Sequence, residues 1–146
     1  RYLPVIEDNI IAFNRASGIQ GWDARTTSSA IAHNTIAYNG NHGVAMGGGS
    51  NAVIERNILA FNERFALKIT SESEKVKATN NNIYRNLWSP KPLPAGNYSY
   101  DPEFGSPRTR MDFTVKGKLP CPECTEEQIP GVRANSVRRA TSDGLF

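Results

Sequence analysis

Glu7 and Glu55 are carboxylates placed to act as a pair, and the residues after them, Asp8 and Arg56, bracket a histidine, His33, at the same phase. Glu7, Ala32 and Glu55 follow one another at the same two intervals as Asp8, His33 and Arg56. If that spacing stacks the chain on itself, Glu7 and Glu55 stand two layers apart, roughly 9.6 Å at the strand separation of a sheet. That is near the upper edge for the acid and base of an inverting glycoside hydrolase. In the adjoining column Arg56 would neutralise a uronate carboxylate while His33 takes a proton, the logic of a lyase or an epimerase. The plainer reading is a surface ladder in which unlike charges stack, each pair contributing roughly a few tenths of a kcal/mol.

Four more residues have candidate roles. Lys68 falls in phase with Gln20 and Ala45, where it is either a base or carboxylate partner or a solubilising lysine. Trp22 and Asp23 begin a loop in which an indole beside a charge would stack on a sugar ring, or else fold back on its own chain. His42 is a further candidate for contact with substrate. Cys121-Pro122-Glu123-Cys124 is half of a zinc knuckle, but no second Cys or His pair follows it. A structural turn or local disulfide therefore fits better than a metal site, and no metal or cofactor is expected. Asn97-Tyr98-Ser99 has the form of a glycosylation sequon and is as readily accidental as used.

A repeat must position these groups. Asn-x-(Ile/Leu)-x-x-Asn occurs at Asn9–Asn14, Asn34–Asn39, Asn57–Asn62 and Asn81–Asn86, nearly evenly spaced along the chain. Its period, roughly 24 residues, lies in the range that signals a repeat architecture. Ahead of the first three copies stand Val5-Ile6, Ala30-Ile31 and Val53-Ile54; the fourth, Val76-Lys77, is shifted by one. After the closing asparagines come Gly18-Ile19, Gly43-Val44 and Ala66-Leu67. Three short Ile/Val-rich segments per period, divided by Asn, Gly and Ser, read as strands with no room for a crossover helix.

Stacked coils then predict three inward ladders: Ile6, Ile31 and Ile54; Ile11, Ile36, Leu59 and Ile83; and Ile19, Val44 and Leu67. Alternation turns Glu7, Ala32 and Glu55 outward. Phe13, Tyr38 and Phe61 form an aromatic corner column that Arg85 breaks in the fourth copy. Asparagines suit the turns, because they tolerate left-handed geometry and their amides hydrogen-bond from coil to coil.

Over residues 5 to 88 this pattern resembles the parallel β-helix repeat family found in pectate lyases and in alginate lyases and epimerases. The resemblance implies an all-β, right-handed parallel β-helix of about four coils, with a groove on an outer sheet face where polysaccharide lies along the solenoid. It matches no single enzyme's catalytic motif: the Asp-Pro-His of alginate epimerases is absent, since Asp101-Pro102 is followed by Glu103. Tyr100 to Phe104 and Met111 to Lys116 resemble a C-terminal element of such proteins, an Asp-Pro-x-Phe followed by a short strand. Its implied setting is secreted, periplasmic or cell-surface. The expected function is the C-terminal part of a polysaccharide lyase, epimerase or hydrolase, or alternatively a non-catalytic structural or carbohydrate-binding module.

The chain has 146 residues, 17 of them Lys or Arg against 14 Asp or Glu. A net charge of +3 without a basic run argues against a nucleic-acid surface, and no apolar stretch suits membrane insertion. Eight of the nine prolines lie beyond Trp88, which divides the chain into coils over 1–88 and a capping extension over 89–146, with the irregular fourth copy ending the solenoid. Ser71 to Lys75 reads as a solvated loop. The first coil lacks a cap in Arg1 to Pro4, so missing sequence or another chain is expected to cover Val5 to Ile19.

Overall fold

The computed structural model describes residues 4–22, 28–70, 73, 75–89, 91–117 and 131. One coil comprises β1 (Val5–Glu7), β2 (Ile10–Ala12) and β3 (Ile19–Trp22). The second comprises β4 (Ser28–Ala32), β5 (Thr35–Ala37) and β6 (Val44–Gly47), and the third β7 (Asn51–Glu55), β8 (Ile58–Ala60) and β9 (Leu67–Ile69). A partial fourth has only β10 (Lys77–Thr79) and β11 (Asn82–Tyr84). The solenoid is thus three full turns and two strands rather than four coils. Equivalent strands pair in parallel as β1-β4-β7-β10, β2-β5-β8-β11 and β3-β6-β9.

The register is the one the repeat predicts: Ile6↔Ile31↔Ile54, Ile11↔Ile36↔Leu59↔Ile83 and Ile19↔Val44↔Leu67. Ile31, Ile36, Ile54, Val44, Leu59 and Ile83 are buried, and Ile19 with them. Ile6, Ile11 and Leu67, each on an outermost layer of its ladder, are only half-buried. In the fourth copy Ala78, not Val76, lies against Ile54.

The corners differ from the expectation that asparagine itself adopts the left-handed conformation. The residue before each asparagine does so: Asp8, His33, Arg56 and Asn80 at one corner, Phe13, Tyr38, Phe61 and Arg85 at the other, with φ between 46° and 58°. A non-glycine residue held there costs on the order of 1 kcal/mol or more. The bend turns the following asparagine inward, where Asn34, Asn39, Asn57, Asn62, Asn81 and Asn86 are buried and form two continuous amide ladders. Hydrogen bonding offsets the strain.

Past Trp88 the ladder still continues. Asn97 accepts the backbone N–H and Nδ2 of Asn81, both at 3.0 Å, making a fifth rung of the first column. Its own Nδ2 donates to Ala78 O at 2.9 Å, so the sequon nitrogen is occupied by the fold. Ser73, expected in solvent, is buried and closes a turn by donating its N–H to Thr70 O.

An antiparallel hairpin of β12 (Phe104–Ser106) and β13 (Asp112–Val115), joined through α1 (Pro107–Arg110), docks on the aromatic corner. Phe13, Tyr38 and Phe61 stack there with centroids 5.4 and 4.9 Å apart, and Phe104 and Phe113 tilt against them. Tyr84 takes the place Arg85 could not fill, meeting Phe61 edge-on at 5.7 Å. Tyr84 also donates to Asp101 Oδ2, and that hydrogen bond raises its pKa. Among the described residues no helix is long and apolar enough to cross a membrane.

Candidate functional site

Period alone builds the side of the molecule where Trp22, His42 and Lys68 meet. Strand alternation turns Gln20, Ala45 and Lys68 outward as one column of the third sheet, and Trp22 and Gly47 as the next. Ser17, His42 and Phe65, which share one phase of the repeat, line the corner before it, and Trp88, one residue short of that phase in the fourth copy, bridges to Phe65 there. His42 stacks on Phe65 at 5.7 Å and Phe65 meets Trp88 edge-on at 5.4 Å. Between Trp22 and His42 lies a cleft of about 250 Å³ that also takes in Gln20, Lys68, Asn41 and Thr70.

Trp22 is 65% exposed. Its ring lies over Gly47, where an added Cβ would stand 2.5 Å from Cζ3. The indole rests on its own sheet and still faces outward. The glycine run beginning at Gly47 makes the room.

His42 Nδ1 accepts the N–H of Phe65 at 3.2 Å. Burial first, then the charges of Arg64 and Lys68, lower its pKa, favouring the neutral ring. With Nδ1 accepting, the proton of that ring sits on Nε2, which is a donor. The Lys68 ammonium lies 5.3 Å over the Phe65 ring and Arg64 5.3 Å over Trp88. Asn41 Oδ1 is buried and has no hydrogen-bond partner among the described residues. No carboxylate is among the described residues lining the cleft.

The remaining candidates lie elsewhere. Glu7 and Glu55 sit on the first sheet with Ala32 between them, as the register requires. Arg56 pairs with Glu55 at 2.8 Å, so its guanidinium is already engaged. His33 is 5% exposed and is not presented to a polymer. The backbone carbonyl of Arg56 also accepts the N–H of Gly131, which brings a point of the C-terminal extension onto this edge. Asp23, Cys121 and Cys124 fall outside the described residues. Among the described residues no three His, Cys, Asp or Glu side chains gather as a metal ion would need.

A second concavity of about 390 Å³ lies beside Phe13, Tyr38 and Phe61. It is the larger of the two, yet its ring faces are taken up by one another and Arg108 covers Tyr38 at 4.7 Å. The smaller cleft keeps an open ring. Phe65, Trp88 and Gln20 were not singled out as site residues in the sequence; the Ser17-His42-Phe65 phase carried a signal for Phe65, while Trp88 falls one residue early and is brought to Phe65 by the structure.

Residues 3–90 match the family described as "Right handed beta helix region". No curated protein and no solved structure matches the chain.

Proposed function

The chain belongs to the right-handed β-helix family, and on that scaffold we propose that the outer face of the third sheet binds an extended, uronate-bearing polysaccharide. One observation carries the reading: Trp22 is held on Gly47 with its outer face open, in the same cleft as Lys68 and His42. A pyranose packs its C–H face on such a ring while its hydroxyls reach polar groups around it. Lys68 supplies the cation for a carboxylate, and His42 Nε2–H and Gln20 supply hydrogen bonds. Columns stacked along the axis suit a polymer lying across coils.

Binding is favoured over catalysis by the same geometry. Elimination or epimerisation needs a group that accepts a proton from the sugar carbon. The accepting nitrogen of His42 is taken by Phe65 N–H, Lys68 is assigned to the uronate carboxylate rather than to proton transfer, and the described residues of the cleft offer none of the two carboxylates a hydrolytic pair needs. A polymer of this kind is met outside the cytoplasm, so the reading carries a secreted or cell-surface setting with it.

Titration calorimetry with oligouronates and neutral glucan oligomers tests this. Uronates should bind, Trp22→Ala should weaken them at least about tenfold, near 1.4 kcal/mol, and Lys68→Gln should narrow the preference for charged over neutral sugars. Equal binding by Trp22→Ala, with its thermal unfolding unchanged, would overturn the reading.

A further inference from the structure

Arg64 and Lys68 are exposed cations of the third coil, and among the described residues neither forms an ion pair with a carboxylate. Both charges bear on His42. Each also lies over a ring, Lys68 at 5.3 Å over Phe65 and Arg64 at 5.3 Å over Trp88. Lys68 lines the cleft that holds Trp22, whereas Arg64 and Trp88 do not. They stand beside it, reached through Phe65, whose ring meets Trp88 edge-on at 5.4 Å.

Trp88 is fixed by its backbone rather than by burial. Its N–H donates to Arg64 O at 3.2 Å and it bridges to Phe65, yet it remains 47% exposed. A guanidinium lying over an indole spends its flat face on the ring. The N–H groups around its rim stay free to hold a carboxylate through two parallel hydrogen bonds. Arg64 with Trp88 therefore has the same makeup as Lys68 with Trp22: an open indole beside a cation that no acid neutralises. A small anion would use only the cation. The exposed ring beside it matches the C–H face of a sugar.

We propose that Arg64 and Trp88 form a second subsite, which takes a further uronate of the same polymer, Arg64 holding its carboxylate and Trp88 its ring face. This rests on the uronate-binding reading of the Trp22 cleft and adds a path to it. Trp22 belongs to the first coil and Trp88 to the fourth, three strand spacings or roughly 14 Å apart along the axis. Trp22 pairs with Gly47, while Phe65, the neighbour of Trp88, stacks on His42, which precedes Gly47 by five residues. The polymer then crosses the third-sheet face obliquely, from the end of β3 back toward the corner. A block of consecutive uronates meets both cations; a lone uronate in a neutral chain meets one.

Titration calorimetry with uronate trisaccharide and hexasaccharide tests this at about pH 8, where His42 is neutral with or without Arg64. The hexasaccharide should bind on the order of tenfold tighter, because the second contact on one chain is intramolecular. Arg64→Gln and Trp88→Ala should each remove most of that gain while leaving trisaccharide affinity within about twofold, as independent subsites require. A trisaccharide that binds with no gain on lengthening, or a gain that survives in both variants, would refute the second subsite and leave the Trp22 cleft standing. An equal gain for a neutral hexasaccharide would refute the role of Arg64. Failure of either uronate to bind the unmodified protein would remove the cleft reading and this proposal with it. If Trp88→Ala does not fold, Arg64→Gln, which alters only an exposed side chain, decides.

Discussion

Asn34 and Asn57 are tied by two hydrogen bonds that converge on one oxygen: the backbone N–H and Nδ2 of Asn34 reach Asn57 Oδ1 at 2.9 and 3.0 Å. Asn57 passes the pattern on to Asn81 at 3.0 Å and also donates to Ile31 O at 2.8 Å. A buried side chain so placed satisfies corner backbone groups that three successive coils would otherwise leave unpaired.

Asn57→Asp should therefore destabilise the fold by about 3 kcal/mol or more, since a carboxylate offers no N–H and faces carbonyl oxygens. Asn9→Asp, on the exposed first rung, should cost under about 1 kcal/mol. Denaturant unfolding of the two variants gives the comparison, and equal losses would contradict the ladder's role.

Ile36 is fully buried, with Ile11 and Leu59 as its neighbours in the stack. Ile36→Ala should cost about 2 to 5 kcal/mol. Ile11→Ala, on the half-wet outer layer, should cost less by the same measurement.

Stability should also depend on His42. Its pKa is lowered on folding by burial and then by Arg64 and Lys68, so between the ordinary value near 6.5 and the lower folded value the unfolded chain holds more protons. This contribution is complete above about pH 6.5 and is lost as pH falls through the folded value. The sensitivity should disappear in His42→Asn, whose side-chain oxygen can still accept Phe65 N–H. Melting temperatures of both proteins across that window decide it.

Gly47→Ala should disturb the site without replacing any of the side chains assigned to the sugar. Its Cβ would stand 2.5 Å from Trp22 Cζ3, and the indole, rather than the backbone, should give way. Weaker oligouronate binding with a stability change within about 1 kcal/mol is the expected pair of results.

The solenoid was legible because its signal is multiplied by repetition: Ile36 alone means little, but Ile11, Ile36, Leu59 and Ile83 at one phase specify a column. Corner chemistry was less so. Both the residue before each asparagine and the asparagine itself have polar members, and only backbone angles separate the strained position from the buried one. Asn97 was missed as a rung because Asn81 and Asn97 are 16 residues apart, a spacing that skips the third strand. Trp22, His42 and Lys68 were each readable as candidates, but from separate motifs; their meeting depends on Gly47 being small and on the corner that faces His42 toward the third sheet. The first-sheet charges looked equally suitable in sequence, where neither the Glu55–Arg56 pairing nor the burial of His33 can be seen.

The central claim is most directly tested by fluorescence of Trp22 itself. In a Trp88→Phe background Trp22 is the sole indole, and titration with oligouronate should give a saturable change in its emission that excess salt weakens and neutral oligomers reproduce only feebly. Emission that stays constant at saturating oligouronate, in a protein that retains its native unfolding transition, would contradict it.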